Sequence, residues 1–181
     1  MRQAIVKAYQ SIIEAAQSEP LRMVIVRLSW NRAEVDGNKR VVWLENKKRM
    51  SIIQCRGPEG TLEMHMMPAK ATLGKNQAAF LLQQVSHSEK KYEDVSLGGQ
   101  FAWTHIYDVA SIIDLCHQMR DQNPIHRQPP YVVPGIAIFL DTWEQKPRSM
   151  GLSMRFYHPA LGGQELIWQK QEITATYGRI A

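Results

Sequence analysis

From Val41 to Met67 the chain reads VVWLENKKRMSIIQCRGPEGTLEMHMM. Three short runs rich in β-branched and apolar residues, VVWLEN, MSIIQCR and TLEMHMM, are separated by a basic turn and by the turn GPEG. Links this short cannot hold the crossover that a parallel pair requires, so the spacing predicts a meander of antiparallel strands. Alternation in the third run puts Leu62, Met64 and Met66 on one face, as in a strand that lines a core. The methionines are therefore assigned to packing and not to a soft-metal site.

Upstream, LRMVIVRLSWN alternates, with Val24, Val26, Leu28 and Trp30 on one face and Arg27, Ser29 and Asn31 on the other, which predicts a half-buried strand before the turn signal Asp36-Gly37-Asn38. Residues 2–17 place Ile5, Tyr9, Ile12, Ile13 and Ala16 at helical spacing, and Ser18 and Pro20 end the pattern. Downstream, NQAAFLLQQVS is assigned to a strand, followed by the polar hairpin-like HSEKKYED. Thr104 is expected to cap a helix over 104–121, with Ile106, Val109, Ala110, Ile113, Cys116 and His117 down one face and Asn123-Pro124 as the stop. The proline-rich NPIHRQPPYVVPG is a connector. Beyond it, GIAIFLDTW, MGLSMRFYH, QELIWQK and EITATYG predict a second set of short strands.

The two strand-rich halves run in parallel order. VVWLEN, KKRM, SIIQCR, GPEG and TLEMHM answer to IAIFLDTWEQ, KPRSM, GLSMRFYH, PALGG and QELIWQ, and Lys47, Lys48 and Arg49 take the place of Lys146 and Arg148. The expected class is α+β, with two antiparallel multistrand units packed with helices and an internal duplication as one reading of the match. A chance match of degenerate strand patterns is the other. At 181 residues and 44% hydrophobic content the chain suits a single domain. Within it, the first strand unit covers about 22–100 with its helix at 104–121, and the second about 134–178.

Charged residues make up 22% of the chain, which fits a folded protein, and the sequence pI near 9.3 favours polyanionic partners. Cys55 and Cys116 stand far apart and do not suggest a disulfide framework, so an intracellular reducing compartment is expected. The opening carries Arg2 and Lys7 early and Glu14 late, and the mitochondrion is one location that it admits. No apolar run approaches the roughly 20 residues that span a bilayer, and no membrane partner is expected.

The charge is concentrated. Residues 38–56 hold six basic side chains, Lys39, Arg40, Lys47, Lys48, Arg49 and Arg56, against Glu45 alone, a net +5 equal to that of the whole chain. With Lys146 and Arg148 on a related turn, and Arg56, His65, Arg155 and Tyr157 projecting from neighbouring strands, the pattern suits single-stranded nucleic acid: cations follow phosphates and rings stack on splayed bases. An exposed hairpin edge also carries lysine to block sheet aggregation, and that explanation of the cluster stands beside the first.

GTLEMHMMPA, Gly60–Ala69, and GQFAWTHIYDVASIIDL, Gly99–Leu115, resemble landmarks of the Whirly-like superfamily, which includes the plant Whirly proteins and the kinetoplastid mitochondrial guide-RNA-binding proteins. The first is similar to a strand ending in proline and alanine, the second to a strand running into a capped helix. The resemblance implies a pair of four-strand-plus-helix repeats, a tetrameric assembly and non-catalytic binding of single-stranded RNA or DNA across the sheet.

Other chemistries have weaker footing. Cys116-His117 with His126 lacks zinc-ligand spacing, and there is no paired-cysteine motif or HExxH. Gly98-Gly99 and Gly162-Gly163 match no phosphate loop. Cys55 with His158 and Asp141 is the one thiol arrangement to weigh, against Cys55 as a small apolar strand residue and Asp141 as a strand end. Trp30 and Trp43 are expected in the core. The sequence thus points to a non-catalytic protein without cofactor, a homo- or hetero-oligomer that binds single-stranded RNA or DNA, in annealing or processing. The alternatives are a small cysteine-dependent enzyme or effector, and a protein-interaction subunit with a basic docking hairpin.

Overall fold

The three runs form β2 (Arg40–Lys47), β3 (Met50–Gly57) and β4 (Gly60–Pro68), each antiparallel to the next. The structure, a computed structural model, describes residues 1–16, 23–32, 38–47, 50–68, 101–145, 151–156 and 159–169. The β3–β4 hairpin turns on Pro58 and Glu59, with Gly57 paired with Gly60. Gly60 holds φ +145°, and a Cβ there would lie 2.4 Å from the Asn31 carbonyl oxygen and 2.6 Å from the Trp30 ring. Only glycine fits the backbone and the space.

β1 (Met23–Asn31) lies beside β4, and β6 (Gly151–Arg155) beside β1, which completes a five-stranded antiparallel sheet in the order β2-β3-β4-β1-β6. The alternation expected of β1 holds only past Arg27, because the register shifts between Ile25 and Arg27. One extra residue there, Val26, reverses the pleat. Ile25 therefore packs on the core with Leu28 and Trp30, while Val24 pairs with Met67, which is exposed.

One face of the sheet is covered. Its side chains include Leu28, Trp30, Ile53, Cys55, Leu62, Met64, Met66, Leu152 and Met154, all buried. α1 (Arg2–Ala16) lies against β2, β3 and β4 through Ala4, Ile5, Ala8, Tyr9 and Ile12, a stripe at helical spacing. α3 (Gly135–Glu144) lies against β1 and α1.

α3 corrects the sequence reading, which made GIAIFLDTW a strand. Ile136, Ala137, Ile138, Phe139, Leu140 and Trp143 are all buried, so the helix is apolar around most of its circumference and shows no polar stripe to mark a 3.6-residue period. Its buried Thr142 donates its hydroxyl to the Ile138 carbonyl at 2.7 Å, one turn back. Asp141 sits inside this helix, not at a strand end, and its carboxylate accepts the hydroxyl of Tyr107.

The preceding helix, α2 (Val109–Met119), starts later than expected. Thr104 belongs to β5 (Phe101–Ile106), and the cap is Asp108, whose carboxylate accepts the Ser111 N–H at 2.7 Å. Its buried side is Ile112, Cys116 and Met119; of the stripe anticipated, Cys116 alone is buried, and Ala110 and His117 are exposed. The proline-rich connector holds a 3-10 turn, Pro124–His126, tied down by Asp121. That carboxylate accepts from the Tyr9 hydroxyl and the Asn123 N–H, each at 2.9 Å. Arg127 donates to the Asp121 carbonyl at 2.8 Å, and His126 Nδ1 donates to the Val132 carbonyl at 2.7 Å.

β7 (Glu165–Gln169) pairs with β5 in a separate two-stranded sheet. The architecture is α+β, and the duplication is not found in it. IAIFLDTWEQ, the counterpart of β2, is helical, and the five-stranded sheet joins β6 of the second unit to the four strands of the first. NQAAFLLQQVS, HSEKKYED and EITATYG lie outside the described residues.

Candidate nucleic-acid interface

The register defines three rows of side chains on the sheet face opposite α1 and α3. The first is Arg40, Arg56, Thr61, Asn31 and Gly151; the second is Val42, Gln54, Glu63, Ser29 and Ser153; the third contains Ile52, His65, Arg27 and Arg155. Four of the residues singled out in the sequence, Arg40, Arg56, His65 and Arg155, thus share a face although they come from four strands.

The rows set like charges opposite one another. Arg40 pairs directly with Arg56, and Arg27 stands between Arg155 on one side and His65 on the other. Directly opposed residues have Cβ atoms about 5 Å apart, and like charges so placed repel.

A chain of hydrogen bonds crosses the middle of the face. Arg56 Nε donates to Gln54 Oε1 at 2.9 Å, Gln54 Nε2 donates to Glu63 Oε2 at 2.5 Å, and His65 Nε2 meets Glu63 Oε1 at 2.6 Å. Arg27 Nε donates to Ser153 Oγ at 3.1 Å. Burial raises the Glu63 carboxyl, but the hydrogen bonds from His65 and Gln54 and the charges of His65 and Arg27 outweigh it and hold the group below its ordinary value. Glu63 is thereby fixed as a carboxylate, and the His65 and Glu63 side chains keep 16% and 24% of their surface in solvent.

The structure removes Lys39 from the group. Preceding Arg40, it falls on the opposite side of the strand path, where its Nζ donates to the Lys7 carbonyl of α1 at 2.9 Å. Lys47 ends β2 opposite Met50; its side chain, together with Lys48, Arg49, Lys146, Arg148 and Tyr157, lies outside what is described. Arg27, Gln54 and Glu63 join the face without having been singled out. The signal for Glu63 and His65 lay in TLEMHMM, where they alternate with the core-facing residues; that for Arg27 lay in the polar face of β1. Among the described residues the three rows hold one ring, that of His65, for Trp30, Trp43 and Trp143 pack in or against the core.

Cys55 is buried at 1% exposure beneath the helices, and burial, only partly opposed by Lys39, pushes its thiol up. A nucleophilic cysteine needs the reverse shift. Of its proposed partners, Asp141 is engaged by Tyr107, and His158 lies outside the described residues. Burial and Asp121 push Cys116 up to about 12, its neighbour His117 points to solvent, and among the described residues no three His, Cys, Asp or Glu side chains are placed to hold a metal ion. Among the described residues no helix is long and apolar enough to cross a membrane. Compared with family models, with curated proteins and with solved structures, the chain matches none.

Proposed function

We propose that the face of the five-stranded sheet opposite α1 and α3 binds single-stranded RNA or DNA. The observation that carries this reading is the direct opposition of Arg40 with Arg56 and of Arg27 with Arg155. In the free protein these pairs oppose folding, and a polyanion laid between them turns repulsion into attraction. From Arg40 on β2 to Arg155 on β6 the path crosses four strand spacings and two rows, about 19 Å across and about 13 Å along the strands. That diagonal is long enough for a few nucleotides. Between its ends lie Gln54, Glu63, Ser29 and His65, donors and acceptors suited to base edges that only an unpaired strand exposes. The resemblance to the Whirly-like superfamily implies the same surface.

Fluorescence anisotropy with labelled single-stranded RNA, the matching DNA and a duplex, each titrated with salt, tests the reading. Single strands are expected to bind more tightly than duplex at moderate salt. Arg27→Ala with Arg155→Ala should weaken every sequence alike and reduce the slope of log K against log salt by about 1.4, at about 0.7 for each phosphate that is no longer neutralised. Binding confined to low salt and equal for all three, or a slope unmoved by the double substitution, would overturn the assignment.

A further inference from the structure

A face built only to hold phosphates has no use for a fixed carboxylate among its arginines, since Glu63 repels what Arg27 and Arg56 attract. Yet Glu63 is held at both oxygens, by Gln54 at 2.5 Å and by His65 at 2.6 Å, and Gln54 is in turn held by Arg56. A carboxylate bonded to one imidazole nitrogen fixes the tautomer and orientation of the ring and stabilises the imidazolium when the other nitrogen takes a proton. Here Nε2 is the bonded nitrogen, so Nδ1 carries the lone pair. Directly across the strand pair from His65 stands Arg27, and Arg155 is next in the same row, so a base and two cations fall within two strand spacings, about 10 Å.

We infer that this row cleaves the RNA that the face binds: His65 is the general base for the ribose 2′-hydroxyl, Glu63 its positioning residue, and Arg27 and Arg155 the clamp on the phosphate. The inference rests on the proposed RNA-binding reading and adds a reaction to it. His65 Nδ1 accepts the proton of the 2′-hydroxyl as O2′ forms a bond to the adjacent phosphorus. The bond from phosphorus to O5′ breaks, and the 5′-oxygen leaves with a proton from water. The products are a 2′,3′-cyclic phosphate and a 5′-hydroxyl, and His65 returns its proton to solvent, so atoms and charges balance without a further reactant. The guanidinium groups of Arg27 and Arg155 face the negative charge that builds on the phosphoryl oxygens.

The experiment pairs a labelled single-stranded RNA of about twenty nucleotides with its all-deoxy copy. The RNA is expected to yield fragments with cyclic-phosphate ends, while the deoxy copy is bound and left intact. His65→Ala and the less disruptive His65→Asn should each slow single-turnover cleavage by about 100-fold or more, measured with protein in saturating excess over RNA so that weaker binding does not enter the rate. Glu63→Gln should lower the rate and shift the ascending limb of its pH profile, a change that a structural role alone would not produce. RNA that is bound but stays intact between about pH 5 and 8 overturns the cleavage and leaves the binding reading standing, as does cleavage that persists at full rate in both His65 variants. Failure to bind either strand overturns both.

Discussion

Asp121, only 4% exposed, joins three segments at one carboxylate and one carbonyl: α1 through Tyr9, the end of α2, and the connector through Asn123 and Arg127. His126, beside it, is kept neutral because burial lowers its pKa more than Asp121 and the Val132 carbonyl raise it. The unfolded chain takes up that proton more readily, so neutral His126 contributes stability above its unfolded value of 6.5, and the contribution is lost as pH falls below it. Urea midpoints are expected to drop from pH 7.5 toward pH 5, and His126→Gln to flatten that slope whatever it does to the midpoint itself. Glu63 acts in a lower window: its depressed carboxyl contributes stability above the ordinary 4.5 and loses it as pH falls further. At the β3–β4 turn, Gly60→Ala must place a methyl against the Asn31 carbonyl in a backbone region that disfavours it. A loss of about 2 kcal/mol or more is expected in chemical denaturation.

At the scale of elements, the two helical corrections have different physical origins. α2 was legible as a helix, but its start was misplaced because Thr104 and Asp108 are both good caps, and β5 claims the first. Asp108→Ala should therefore lower the thermal midpoint, while Thr104→Val leaves α2 unaffected, with thermal melts distinguishing the two. α3 was illegible because its residues are buried on nearly every side: Ile136, Ile138, Phe139 and Trp143 are strand-formers by composition, and periodicity needs a wet side to show itself. In β1 the alternation was visible, but the bulge at Val26 was not, since nothing in MVIVRLSWN marks an extra residue. The meander was legible because its turns fix the pairing of strands that follow one another.

For the whole molecule, the candidate surface was half visible. Alternation within β3, β4 and β6 was enough to put Arg56, His65 and Arg155 on outward positions, whereas the assignment of Lys39 failed by one residue, which in a strand is a change of face. The opposition of Arg27 to Arg155 could not be read at all, because it depends on the pairing of strands far apart in the chain. If these pairs serve an anionic ligand, they weaken the free protein. Arg155→Ser is expected to raise the thermal midpoint by a degree or two at low salt while weakening binding, with the gain shrinking as salt is added. The same pairing governs how the chain must be made. Arg27 and Ser153, hydrogen-bonded neighbours, are 126 residues apart, so β1 to β4 leave the ribosome long before β6 exists. Until then MVIVRLSWN is the outer strand of a growing sheet, apolar along most of its length and open to the same strand of another nascent chain. Five residues near the far end of the chain are what closes that edge, and the yield of folded protein depends on their arrival.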